Sequence, residues 1–162
     1  MKVFAILFTL LCALSIGLAQ DKANFSGKWK LDKDRSFSNP PGLDQTITIT
    51  HTGDQVKFEA FVKTARGEQT VNESHTLDGK ETEFKPAAPN AAGKRRASWL
   101  PGGQGVMIQD QTTVDGKVTS EVARKWTLSA GGKTMTVDYF IDETRGGNQI
   151  SYESKRVFNK VE

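Results

Sequence analysis

The stretch Asn24-Phe25-Ser26-Gly27-Lys28-Trp29-Lys30-Leu31 decides the reading of this chain. Phe25, Gly27, Trp29 and Leu31 alternate with Ser26, Lys28 and Lys30, and in a strand successive side chains point to opposite faces. The segment therefore reads as a first β-strand with one buried face. Turn signals recur after it: Thr52-Gly53-Asp54, Arg66-Gly67, Asp78-Gly79, Pro101-Gly102-Gly103, Asp115-Gly116, Gly131-Gly132 and Arg145-Gly146-Gly147. The segments between them have period-two character and many Thr and Val, which is the pattern of an all-β hairpin meander. No segment shows sustained helical periodicity.

Strands are expected over residues 25–32, 45–52, 55–64, 68–77, 80–85, 94–100, 105–114, 117–129, 133–142 and 149–159. Ser36 to Gly42, with Pro40-Pro41, reads as the loop from the first strand to the second. Pro86 to Gly93 reads as a second irregular loop. Either side of that second loop holds only four or five of the expected strands. Closing them together removes open edges, so the expected architecture is one antiparallel up-and-down β-barrel of about 8–10 strands.

Residues upstream of that barrel have a different character. Met1-Lys2 is a short positive start, Val3 to Leu18 is apolar except for Thr9, Ser15 and Gly17, and Gly17-Leu18-Ala19 offers small residues at the peptidase positions. This is the pattern of a cleaved signal peptide over residues 1–19, too short to span a membrane and followed at once by Gln20-Asp21-Lys22. The expectation is an exported, secreted or periplasmic protein with a barrel domain over residues 20–162 and no membrane span after cleavage. The one cysteine, Cys12, falls inside the leader, so the remaining chain has no disulfide, thiol nucleophile or thiolate metal site. Formal net charge is +3, one unit of it from Lys2. The run Lys94-Arg95-Arg96 reads as a solvated strand start, and no interleaved aromatic platform argues for nucleic acid. Asn24-Phe25-Ser26 and Asn72-Glu73-Ser74 are formal glycosylation sequons.

Phasing the strands places polar residues on an otherwise apolar inner face: Glu73, His75, Asp110, Arg124, Tyr139, Tyr152 and Arg156. A buried charge is costly unless paired. One reading pairs Arg124 with Asp110 on the next strand and stacks Arg156 on the Trp29 indole. The other gives one or both arginines to an acidic head group inside a cavity, a role that suits the rigid guanidinium fork. Strand six is ambiguous in phase between Trp99 and Leu100.

Gly27-Lys28-Trp29 near the start and Arg156 near the end resemble the Gly-x-Trp motif and the C-terminal Arg of lipocalins. The closing run Tyr152 to Lys160 resembles the last strand of fatty-acid-binding proteins, where an Arg-x-Tyr pair holds the ligand carboxylate. Here Phe158 stands at the Tyr position, and Ser36 to Gly42 is too short for that family's helical lid. The resemblance is to the calycin group, and in particular to small exported bacterial lipocalin-like domains. It implies a lipocalin-like barrel that binds ligand and catalyses nothing.

With only His51 and His75, catalytic arrangements are few. There is no Gly-x-Ser-x-Gly elbow, no close His pair of the metal-binding kind, and no phosphate loop opening a helix. The expectation is a monomeric, non-enzymatic container with no metal and no cofactor. It holds a small apolar or amphipathic molecule, anionic ones included, with Arg124, Arg156, Tyr139 and Tyr152 as polar contacts and Trp126 and Phe58 in the wall. The competing expectation is a filled barrel, its aromatic residues Trp29, Trp99, Trp126, Phe58, Phe84 and Phe158 converging inside. Such a barrel acts as a protein-interaction or envelope-associated module through the loops Pro86–Gly93 and Pro101–Gly105.

Overall fold

Ten strands follow one another in the computed structural model, which describes residues 21–161. They are β1 (Gly27–Phe37), β2 (Asp44–Thr52), β3 (Gln55–Thr64), β4 (Gly67–Thr76), β5 (Asp78–Phe84), β6 (Ala91–Trp99), β7 (Gly105–Val114), β8 (Lys117–Leu128), β9 (Thr134–Arg145) and β10 (Asn148–Val161). A single 3₁₀ turn, Pro101–Gly103, precedes β7. The leader expected over residues 1–19, with Cys12, lies outside the described residues. Among the described residues no helix is long and apolar enough to cross a membrane.

All strands form one antiparallel sheet in the order β4-β3-β2-β1-β10-β9-β8-β7-β6-β5. The first strand pairs with the last, Trp29 opposite Lys160 and Leu31 opposite Phe158. The sheet thus curls into a barrel with one seam, between β4 and β5. These two are consecutive in sequence, joined only through Leu77, yet they do not pair. The Leu77 N–H instead bonds the Asp54 carbonyl at the β2–β3 turn, and its side chain is buried.

Among the boundaries that differ from the sequence expectation are those of β1 and β6. First, the strand expected over residues 25–32 continues to Phe37 through a bulge. Ser36 makes the bulge tolerable: its hydroxyl donates to the Asp32 carbonyl and accepts from the Val157 N–H, satisfying groups that the ladder skips. Second, the loop expected over Pro86–Gly93 ends early, because Ala91 and Ala92 already pair with Val114 and Thr113.

Period-two phasing holds along most of the sheet and breaks at its register shifts, as beside Thr112 and Thr113, where Val118 is exposed. The buried core comprises Phe25, Trp29, Leu31, Ile47, Ile49, Val56, Phe58, Ala60, Val106, Ile108, Trp126, Met135, Val137 and Phe158 among others. On β6 the register resolves the ambiguity. Gly93, Arg95, Ala97 and Trp99 share the inner face, and Leu100 leaves the strand.

One end of the barrel is closed. Residues 21–26 cross beneath it as a strap. The Ala23 N–H donates to the Gly103 carbonyl, Lys22 pairs with Asp54 at 2.8 Å, and Phe25 is wholly buried. Trp99 stacks on His51 there and donates to Asp54. Gly27 explains the Gly-x-Trp motif. Its φ is +136°, a conformation that favours glycine, and a Cβ there would lie 2.6 Å from the Lys160 side chain. That lysine sits 5.4 Å over the Trp29 ring.

Candidate functional site

A belt of polar side chains crosses the barrel interior between the aromatic floor and the open end. Inner-face positions on six neighbouring strands supply it: Glu73 on β4, Arg95 on β6, Asp110 on β7, Arg124 on β8, Tyr139 on β9 and Arg156 on β10. Two residues nearer the closed end, the same strands carry His75, Ala97, Ile108, Trp126, Val137 and Phe158.

The charged half of the belt spans the seam. Arg95 forks onto both oxygens of Asp110 and lies 3.0 Å from Glu73. Arg124 Nη2 reaches Glu73 at 3.0 Å and Asp110 at 2.9 Å. His75 Nε2 lies 3.0 Å from the same Glu73 oxygen. All four charged side chains are at most 18% exposed. Burial alone would raise the Glu73 carboxyl, but the His75 contact and the charges of Arg124 and Arg95 outweigh it and hold the group at about 2. Burial likewise opposes the charge on Arg124, and Glu73 and Asp110 more than reverse that. The belt thereby fastens β4 to β6 and β8 where no backbone ladder does. Nearby, Arg124 Nε and Trp126 Nε1 are buried without a partner among the described residues.

The expected Arg124–Asp110 pair is thus present, as one edge of a four-residue network. Arg95 belongs to that network, where the sequence reading left it on a solvated strand start. It points inward with Gly93 and Ala97, its guanidinium 4.6 Å over the Phe84 ring.

Arg156 sits differently. It does not stack on Trp29, which lies toward the closed end under Lys160. Its guanidinium lies 4.5 Å over the Tyr139 ring. It donates to the side-chain oxygens of Asn39 (3.1 Å) and Gln45 (3.0 Å), both neutral, and makes no ion pair among the described residues. The Ser154 hydroxyl also donates to Asn39. Asn39 and Gln45 were missed from sequence. Gln45 shares the period-two phase of Ile47 and Ile49, whereas the loop residue Asn39 carried no signal.

Above the belt the barrel is open. A cleft of about 810 Å³ is walled by the β1–β2 loop at Asn39 to Pro41, by Val62 and Arg66 of the β3–β4 hairpin, and by Ile150 and Tyr152 of β10. Ile150 and Tyr152 are in phase with buried Ser154 and Phe158, yet each is 38% exposed, because none of the described residues covers this end. The Tyr152 phenol is held above its ordinary value by burial and by the Glu143 carboxylate.

The predicted site residues therefore divide. Tyr152 lines the cleft; Arg156, stacked on Tyr139, is outside the lining and reaches it through its hydrogen bond to Asn39. Arg124 is engaged in the belt. Trp126 and Phe58 pack against each other in the floor, ring centroids 5.3 Å apart. The six aromatic residues expected to fill the barrel do not all converge: Phe84 lies on the mouth side of the belt, and the others lie toward the closed end. Among the described residues no group of three or more His, Cys, Asp or Glu is placed to hold a metal ion.

No protein-family model and no curated protein matches this chain. Solved structures do. Secretory abundant heat soluble protein 4 from Ramazzottius varieornatus superposes with a TM-score of 0.51 at 12% identity, over 88% of this chain and 99% of that one. Zebrafish ileal bile acid-binding protein, solved with cholic acid, gives a TM-score of 0.46 at 15% identity, over 85% and 98%. The fold is calycin-like.

Proposed function

We propose that this protein is an exported, non-enzymatic container whose open end holds a small amphipathic molecule. The observation that carries the reading is the pair Ile150 and Tyr152, side chains aimed into the barrel but left in contact with solvent, with Arg156 further along the same strand face and in no ion pair among the described residues. Inward apolar surface left exposed marks a binding groove, and a few convergent polar groups in an apolar cleft fix a ligand's orientation. Arg156 retains unused N–H donors beyond those given to Asn39 and Gln45. An anionic head group is the natural occupant of that position, with Tyr152, Val62 and Pro41 along its apolar part. Tyr139 acts through the Arg156 guanidinium that it supports. Export rests on the leader pattern of residues 1–19.

Native mass spectrometry of the protein purified from its own host, with extraction of whatever it carries, tests the reading. A stoichiometric amphiphile is expected. An apo mass, with no binding across a panel of alkyl carboxylates, would contradict it.

A further inference from the structure

The belt sets what the container can hold. We infer that it is a stop: the ligand is a short or compact anionic amphiphile that lies wholly above the belt, head toward Arg156 and apolar part toward the rim. This rests on the container reading and narrows it.

Three observations carry the inference. First, there is no room below. Trp29, Phe158, Met135 and Ile108 are 0% exposed in a continuous core, and interiors of that kind resist added volume. Second, the belt is charged where a threading chain would pass. An alkyl chain beside Glu73, Arg95, Asp110 and Arg124 would displace charge-assisted contacts and leave Arg124 Nε and Trp126 Nε1 facing hydrocarbon. Third, the belt is fastened. Glu73 ties β4 to Arg95 of β6 and Arg124 of β8 across the seam, and Asp110 of β7 holds both arginines, so opening a path downward means breaking several ion pairs at once. Above the belt the requirements reverse. The cleft offers Pro41, Val62, Ile150 and Tyr152 to an apolar group, and Arg156, bonded to the cleft residue Asn39, is the cation toward which an anion would turn.

Chain length is therefore the discriminating variable. Calorimetric titration with hexanoate, octanoate, decanoate and palmitate reads it directly. Where added methylenes are buried, affinity rises roughly tenfold per two-carbon step. The stop predicts such a rise through the short members and a flat response from decanoate to palmitate. A second readout locates the chain. Trp29, Trp99 and Trp126 all lie on the closed-end side of the belt, and a bromine quenches indole emission only in contact. Decanoate and palmitate brominated on the terminal carbon are expected to bind without quenching. A rise continuing to palmitate, or quenching by its bromine, would overturn the stop and leave the container reading standing. Failure of every carboxylate to bind would overturn the container reading, and the stop with it.

Discussion

The Glu73 carboxylate on β4 lies 3.0 Å from the Arg124 guanidinium on β8, across a seam that no backbone ladder closes. A chain that leaves two edges unpaired has joined them from within, through side chains, and the same contact divides the interior into a packed floor and an open mouth.

The two inward arginines are expected to respond differently to truncation. Arg124→Ala leaves Glu73 and Asp110 buried beside one fewer cation, and breaking a buried pair in this way costs about 3–5 kcal/mol. Arg156→Ala removes hydrogen bonds to two neutral partners, half-buried Asn39 and buried Gln45, for a smaller loss of about 1–3 kcal/mol. Urea unfolding of both variants measures the contrast. Ligand titration should show the opposite order, with Arg156→Ala the weaker binder.

Acid should loosen the seam. The Glu73 carboxyl is held at about 2 in the fold, against an ordinary value of 4.5. Between those values the unfolded chain binds a proton that the folded one does not, so the stabilisation is complete above about pH 4.5 and is lost as pH falls toward 2. Glu73→Gln removes this titration. Its stability profile from pH 5 to 2 should be flatter than the parent's, and equal slopes would place the acid sensitivity elsewhere.

His51 ties the strap to the floor in its neutral form. Its Nδ1 accepts from the Phe25 N–H at 3.2 Å and its Nε2 donates to the Gly53 carbonyl at 3.0 Å. Burial depresses its basicity, with Lys22 adding to the effect and the Gly53 carbonyl and Asp54 opposing it. The unfolded imidazole protonates first, near 6.5, so this contribution is complete above that pH and declines below it. Amide exchange at Phe25, corrected for intrinsic rate, should accelerate from pH 7.5 to 5.5 and lose that dependence in His51→Gln.

Gly105 tests the packing of the closed end. A Cβ there would meet the Trp126 carbonyl oxygen at 2.5 Å and the Leu100 side chain at 2.7 Å. Gly105→Ala should destabilise by about 1–3 kcal/mol, the usual cost of overpacking, while leaving ligand affinity unchanged because the mouth is at the other end. A thermal scan and a titration on one preparation check both parts.

Much of this architecture was legible because period two is a strong signal. Trp29, Ile47, Phe58, Ile108, Trp126 and Phe158 all face where their alternation puts them. The seam was not legible, since residues 67–84 read as two strands and a turn like any other hairpin; only the tertiary choice of Leu77 to bond Asp54 separates them. Arg95 was hidden in a basic triplet whose outer members, Lys94 and Arg96, are indeed solvated. Arg156 was correctly phased, but which ring it covers depended on the β1–β10 register, which puts Lys160 opposite Trp29. Asn39 lies in a loop, where no periodicity exists to read.

The most direct test of the open end as the binding site is a titration of isotope-labelled protein with decanoate, followed by amide and side-chain chemical shifts. Saturable shifts are expected at Val62, Arg66, Ile150, Tyr152 and the Arg156 guanidinium, with the floor around Trp29 and Met135 unmoved. Shifts centred on the floor, or confined to the outer face of the sheet, would contradict it.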